Sequence, residues 1–198
     1  GTAKYVPIDE EHPLQAQSPY SATKIAADKL AESFHASYDL PIAICRPFNT
    51  YGPRQSARAI IPTIISQMII QKGRIQLGNT DTTRDFNYVT DIVEGFIKIA
   101  ESEKTIGEVV NIGFGSEISI GRLAQKIAGL CGFELEIVND IKRIRPPSSE
   151  VHRLCANNDK AKDLVGWEPE VDIDKGLVRT TEWFKTNGYK YRQREYNI

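Results

Sequence analysis

Apolar positions along the chain follow helical spacing in some segments and short continuous runs in others. Residues 1–17 show no apolar period and are punctuated by Asp9, Glu10, Glu11 and Pro13, which predicts a loop. Ser18-Pro19 then supplies an N-cap hydroxyl and a proline suited to the first helical position. Residues 20–38 are rich in Ala, with Lys24, Lys29 and Leu30 among them and no breaker, and predict a helix of about five turns. The run Ile42, Ala43, Ile44, Cys45 predicts a strand within 41–48 that is covered on both faces. A polar loop over 49–58, a helix over 62–71 ending at Gly73, and a short strand over 74–77 follow. Thr90 is read as the cap of a helix whose inward face holds Val93, Phe96, Ile97 and Ala100. Residues 108–112 read as a strand. Ser119 caps a helix with Ile120, Leu123, Ile127 and Leu130 inward and Gly132 after it, and 135–138 is a further strand. A basic, proline-containing stretch covers 141–157. A short helix over 159–165 stops at Gly166, and a last helix over 172–185 carries Ile173, Leu177 and Phe184 on one side.

Strands alternating with helices define an α/β class. The 198 residues are 40% hydrophobic and 26% charged, enough to bury a core. With 25 Lys and Arg against 26 Asp and Glu the formal charge is −1, which argues against a nucleic-acid partner. The most apolar stretch, 60–70, is broken by Pro62, Thr63, Ser66 and Gln67, so no membrane span is expected, and the first residues lack a basic-then-apolar leader. Cys45, Cys131 and Cys155 are far apart with no CxxC, which suits inert thiols in a reducing, cytoplasmic compartment. His12, His35 and His152 are scattered, and no metal is expected. No strand is followed by GxGxxG, and no GxxxxGK[ST] occurs.

The sharpest chemical feature is Tyr20-Ser21-Ala22-Thr23-Lys24. Four residues apart on a helix, Tyr20 and Lys24 share a face. A tyrosine is a poor base at neutral pH, and a nearby ammonium favours the phenolate. Tyr20 then suits proton removal from a substrate hydroxyl while hydride leaves the same carbon. Taken alone, the same spacing also describes an ordinary surface pair.

Further segments follow in order: Arg46-Pro47-Phe48-Asn49-Thr50-Tyr51-Gly52-Pro53-Arg54, then Arg84-Asp85-Phe86-Asn87-Tyr88-Val89-Thr90-Asp91, then Arg145-Pro146-Pro147-Ser148-Ser149-Glu150-Val151. With Tyr20 and Lys24 ahead of them, this series resembles the extended short-chain dehydrogenase/reductase family, the NAD-dependent nucleotide-sugar epimerases and dehydratases. The resemblance implies the later part of a Rossmann-like doubly wound parallel sheet with a small C-terminal α/β substrate lobe. It implies NAD as cofactor and a nucleotide-diphosphate sugar as partner. Tyr20 would be the base, and Lys24 would also hold the nicotinamide ribose. Pro47, Phe48 and Asn49 would lie against the nicotinamide and sugar, with Asn49 bonding the substrate. Arg84 and Arg145 would grip the diphosphate, which suits the planar donor fork of arginine. Glu150 would accept from ribose hydroxyls, and Gln76 and Leu77 would lie near the base. The bland alternatives are a surface ion pair for Arg84 and Asp85, and a solvated basic loop for Arg143, Arg145 and Arg153. Phe86, Tyr88 and Trp167 read as packing residues.

In that family the Gly-rich turn and a catalytic Ser or Thr precede the segment that Gly1 opens. The sequence therefore resembles a C-terminal portion, expected not to turn over alone. Residues 1–73 are assigned to the cofactor-binding half and 74–198 mainly to the substrate lobe, with about 85–112 returning to the first. The loop from Gly52 to Pro62 leans the resemblance toward 4,6-dehydratases of nucleotide-linked N-acetylglucosamine. A 4-epimerase such as UDP-glucose 4-epimerase and a non-catalytic nucleotide-sugar-binding fragment stay open. The family also implies a homodimer through the 20–38 helix, on which Phe34, Leu30 and several Ala form a second face.

Overall fold

The computed structural model describes residues 1–143 and 146–188. In chain order the elements are α1 (Pro19–Tyr38), β1 (Ile44–Pro47), β2 (Asn49–Tyr51), α2 (Ile60–Ile70), β3 (Arg74–Leu77), β4 (Thr83–Arg84), β5 (Phe86–Tyr88), α3 (Val89–Glu101), β6 (Val109–Ile112), β7 (Ile118–Ser119), α4 (Ile120–Cys131), β8 (Glu136–Asn139), α5 (Asp159–Val165) and α6 (Ile173–Asn187). The class is α/β, with parallel strand pairs and helical crossovers. No described helix is long and apolar enough to cross a membrane.

The chain divides into two units. The first comprises Gly1–Thr50, Thr83–Glu117 and Arg145–Glu170. Its β1 and β6 run parallel, with Ile44 opposite Val109 and Pro47 opposite Ile112. The ladder needs a crossover, and α3 supplies it. The core is Ile92, Ile99, Val110, Ile112, Ala161 and Trp167, with Ala43 and Cys45 packed against it. The Trp167 indole N–H donates to the Asp91 carbonyl at 2.9 Å, and Asp91 Oδ2 accepts from the Glu170 N–H at 3.1 Å. Phe86 and Tyr88 are buried, as packing residues should be.

Two expectations for α3 are corrected. Its cap is Tyr88, not Thr90. Its inward residues are Ile92, Gly95 and Ile99, whereas Val93, Phe96, Ile97 and Ala100 are exposed. The helix is apolar on more than one side, so periodicity could not choose. Gly95 decides it, because a Cβ there would lie 3.0 Å from Ile112 Cδ1 and 3.1 Å from the Trp167 indole nitrogen. Only the stripe through Gly95 lets the helix approach the tryptophan.

The second unit comprises Tyr51–Thr82, Ile118–Ile144 and Val171–Ile198, within the described residues. Residues 51–73, assigned from sequence to the cofactor-binding half, fall in this unit. Here β3 and β8 pair in parallel, with Ile75 opposite Ile137, and α2, α4 and α6 pack together around them. Their inward side chains include Ile61, Ile64, Ile65, Met68, Leu123, Ile127, Leu177 and Phe184, all essentially inaccessible. Helix α4 begins at Ser119, whose hydroxyl accepts from the Arg122 N–H at 3.2 Å. Helix α6 begins at Asp172, whose carboxylate accepts from the Lys175 N–H at 2.8 Å.

Candidate functional site

Helix α1 starts at a reciprocal cap. Ser18 Oγ accepts from the Ser21 N–H at 3.1 Å, and Ser21 Oγ accepts from the Ser18 N–H at 2.9 Å, with Pro19 in the first helical position. Two of the orphan donors at a helix start are thereby satisfied. The cap places Tyr20 in the first turn, 71% exposed. Lys24 Nζ lies 5.7 Å from the centre of the Tyr20 ring. The phenol oxygen is therefore open to a ligand, with an ammonium on the same helix face. Tyr5, the other tyrosine of the N-terminal segment, is unsuited to act as a base. Its hydroxyl donates to Asp9 Oδ1 at 2.6 Å, and that bond together with neighbouring carboxylates pushes its pKa up to about 12.

Helix α1 is tied to the strand that carries the next motif. Arg46, on β1, donates from Nε to Asp28 Oδ2 at 2.8 Å, and both side chains are mostly covered. Arg46 also reaches the Glu10 carbonyl at 3.5 Å. Glu10 in turn accepts from the Asn111 N–H at 2.7 Å, and Asn111 Nδ2 donates to the Ile8 carbonyl at 3.1 Å. The loop before α1 is thus stitched to β6. Pro47 at the end of β1 and Asn49 at the start of β2 are exposed, and Phe48 between them is half-buried, its N–H donating to the Ile112 carbonyl at 2.9 Å.

Arg84 and Glu150, separated by 66 positions in sequence, come together. Arg84 Nη2 lies 3.9 Å from Glu150 Oε1, with the two side chains only 15% and 11% exposed. Arg84 also donates from Nη1 to the Thr83 carbonyl at 2.7 Å, and Glu150 accepts from the Val151 N–H at 3.1 Å. A cation and its counter-ion are held side by side with little freedom. Arg145 lies outside the described residues. Arg153 is bound to Glu117, with its Nε at 2.8 Å, and Thr83 Oγ1 donates to the same carboxylate. Arg153 holds that carboxyl below the ordinary glutamate range, with help from the Thr83 hydroxyl. Arg143, in the second unit, is paired with Asp140 at 3.0 Å.

Gln76 and Leu77 lie on β3 in the second unit. Gln76 is exposed, and its backbone N–H and C=O are both bonded by the Gln67 amide, at 2.8 and 3.2 Å. The Leu77 side chain is buried in that unit's core, which leaves only its backbone for any ligand. Described residues contain no group of three or more His, Cys, Asp or Glu placed to hold a metal. The three cysteines are free thiols; burial pushes Cys45 up to about 12 and raises Cys131 and Cys155.

Sequence reasoning missed Asp85. It is completely buried, so the supposed surface pair with Arg84 is not a surface feature. Its Oδ1 accepts from the Phe114 N–H at 3.0 Å and from Asn87 Nδ2 at 3.0 Å. Its Oδ2 accepts from the Gly115 N–H at 2.9 Å and the Ala156 N–H at 2.9 Å. Burial pushes the carboxyl above the ordinary aspartate range, and these four donors pull against that shift. The available signal was the position of Asp85 just before Phe86 and Tyr88, between the short strands β4 and β5.

The family described as GDP-mannose 4,6 dehydratase matches over residues 1–180. The chain is 33% identical over 190 residues to a putative UDP-glucose 4-epimerase of Methanocaldococcus jannaschii, covering 94% of this chain and 60% of that protein. It is 32% identical over 191 residues to the human dTDP-D-glucose 4,6-dehydratase, covering 95% and 54%. Among solved structures it is similar to UDP-glucuronic acid 4-epimerase of Bacillus cereus in complex with UDP-glucuronic acid and NAD. There the TM-score is 0.85 at 28% identity, over 93% of this chain and 58% of that one. The chain thus spans little more than half the length of the relatives it matches. It belongs to the extended short-chain dehydrogenase/reductase class of NAD-dependent nucleotide-sugar epimerases and dehydratases, in the family described as GDP-mannose 4,6 dehydratase.

Proposed function

We propose that the chain is the part of an NAD-dependent nucleotide-sugar 4,6-dehydratase that carries the catalytic base and a diphosphate-gripping arm. The observation that carries this reading is the solvent-open Tyr20 phenol beside Lys24 at a doubly capped helix start. NAD, when bound, would accept hydride from C4 of the sugar and return it at C6 once water has been lost across C5 and C6. Tyr20 removes the C4 hydroxyl proton as that hydride departs. Lys24 bonds the nicotinamide ribose. Pro47, Phe48 and Asn49 line the nicotinamide and sugar, a reading supported by the exposure of Pro47 and Asn49. Arg84 and Arg145 hold the diphosphate, Glu150 takes ribose hydroxyls, and Gln76 with the Leu77 backbone lies by the base. The close approach of Arg84 and Glu150 supports their acting together. For the sugar we favour N-acetylglucosamine, from the loop between Gly52 and Pro62.

The test is turnover of UDP-N-acetylglucosamine with NAD by the protein that carries this chain. Tyr20→Phe is expected to lower kcat by about a hundredfold or more while leaving nucleotide-sugar affinity in place. Wild-type turnover by that variant removes the reading. A 4-epimerase is the second reading, favoured by the similarity to the Methanocaldococcus jannaschii protein. The product decides between them, a 4-keto-6-deoxy sugar against a C4 epimer of the starting sugar.

A further inference from the structure

The Asp85 carboxylate spans features the proposed chemistry keeps apart. By chain continuity it is bonded to Arg84, the proposed diphosphate ligand. Through space it holds the turn after β6, taking the Phe114 and Gly115 N–H groups, and the Ala156 N–H in the segment that follows Glu150. That turn backs the proposed cofactor wall. A Cβ added to Gly113 would lie 3.3 Å from Phe48 Cγ and 2.3 Å from Ala156 Cβ, so the backbone there is pressed against both. Asn158 Nδ2 secures the same turn by donating to the Gly113 carbonyl at 2.9 Å. The segment after Glu150 is fixed to the strand of Arg84 by two backbone bonds. Thr83 N–H donates to the His152 carbonyl at 2.9 Å, and Leu154 N–H donates to the Thr83 carbonyl at 3.3 Å. One side chain therefore joins the Arg84 strand, the Glu150 segment and the turn behind Phe48.

The chemistry of the donors fits only an acceptor on both oxygens. Three backbone N–H groups and the Asn87 amide N–H converge on it, and the three backbone groups cannot turn round to accept. A buried acceptor surrounded by donors fixes geometry, because each donor left unpaired costs the full desolvation of that group.

Resting on the function proposed above, we infer that Asp85 is a positioning residue that sets the diphosphate-binding arm and the cofactor-facing wall in register, so that its loss weakens both ligands together. Asparagine at 85 keeps the shape but turns one of the two oxygens into a donor facing donors. The turn behind Phe48 and the arm of Arg84 then loosen at the same time.

The experiment measures dissociation constants for UDP-N-acetylglucosamine and, separately, for NAD, in the protein that carries this chain. It compares wild type, Asp85→Asn, Arg84→Ala and a core control, Ile99→Val, alongside amide hydrogen exchange at 114, 115 and 156. Asp85→Asn is expected to weaken both ligands by about tenfold and to speed exchange at the three amides. Arg84→Ala is expected to weaken UDP-N-acetylglucosamine alone, and Ile99→Val neither. If Asp85→Asn lowers the melting temperature but leaves both constants unchanged, or weakens only UDP-N-acetylglucosamine as Arg84→Ala does, the inference is overturned and the function stands. If wild type binds neither ligand, the proposed function fails and the inference falls with it. Should Asp85→Asn not fold, Asn87→Ala removes one of the four donors. A smaller loss in both constants then supports the inference, and unchanged constants overturn it.

Discussion

At the residue scale, the Arg84–Glu150 pair carries most of the electrostatic argument. A guanidinium with little exposure beside a carboxylate holds its planar donor fork in a fixed orientation, which suits a diphosphate. Lysine offers a single point charge and cannot supply the planar fork. Arg84→Lys is therefore expected to weaken UDP-N-acetylglucosamine binding by about tenfold, measured by calorimetry; affinity at the wild-type level would remove Arg84 from the binding set. Glu117 allows a prediction about acid. Arg153, the nearest cation, depresses its carboxyl in the folded state. A depressed carboxyl contributes stability above its unfolded pKa of about 4.3 and loses it as pH falls through the lower folded value. Wild type should exceed Glu117→Gln in melting temperature by a constant margin from pH 7 to 5. The margin should close below that range. A margin that widens in acid contradicts the assignment.

At the element scale, α1 depends on its cap more than on burial, for none of its residues is buried in the described chain. Helix stability ordinarily comes from a packed face, so here the first turn rests on Ser18, Pro19 and Ser21. Ser18→Ala is expected to cost about 1 kcal/mol in urea unfolding. Because the same turn holds Tyr20, the variant should also lower turnover more than it lowers nucleotide-sugar affinity. This element was legible in the sequence because a cap is local. Ser18-Pro19, Ser119, Asp172 and the stop at Gly166 need only a few neighbouring residues to be recognised, and all four mark helix ends in the structure. The inward face of α3 was not legible, since the choice between two apolar stripes was made by Trp167, some 70 residues away. Asp85 was hidden for the same reason. Its three backbone donors come from 29, 30 and 71 positions along the chain, and a backbone N–H leaves no mark in a sequence. The pairing of Arg84 with Glu150 is equally non-local. The residue types of the site could be read, and the contacts that orient them could not.

At the scale of the whole molecule, the first unit turns large apolar side chains outward on two helices. Leu30, Phe34 and Tyr38 are exposed on α1, and Val93, Phe96 and Ile97 on α3. Phe34 and Tyr38 stack with ring centres 5.5 Å apart, which makes a continuous aromatic strip at the end of α1 opposite Tyr20. A helix of 20 residues is about 30 Å long, enough for the central contact of a stable interface. We propose that a second copy laying its own α1 across the first covers the exposed side chains of that helix with two-fold symmetry. The proposed assembly is therefore a homodimer through α1. Light scattering after size exclusion is expected to give twice the protomer mass at micromolar concentration. Leu30→Asp with Phe34→Asp should return the protomer mass without unfolding the chain, because neither side chain belongs to the buried core. A protomer mass for wild type at every concentration, or a dimer that survives both substitutions, would place the interface elsewhere. The exposed face of α3 would then be the surface to test, with Phe96→Asp as the probe.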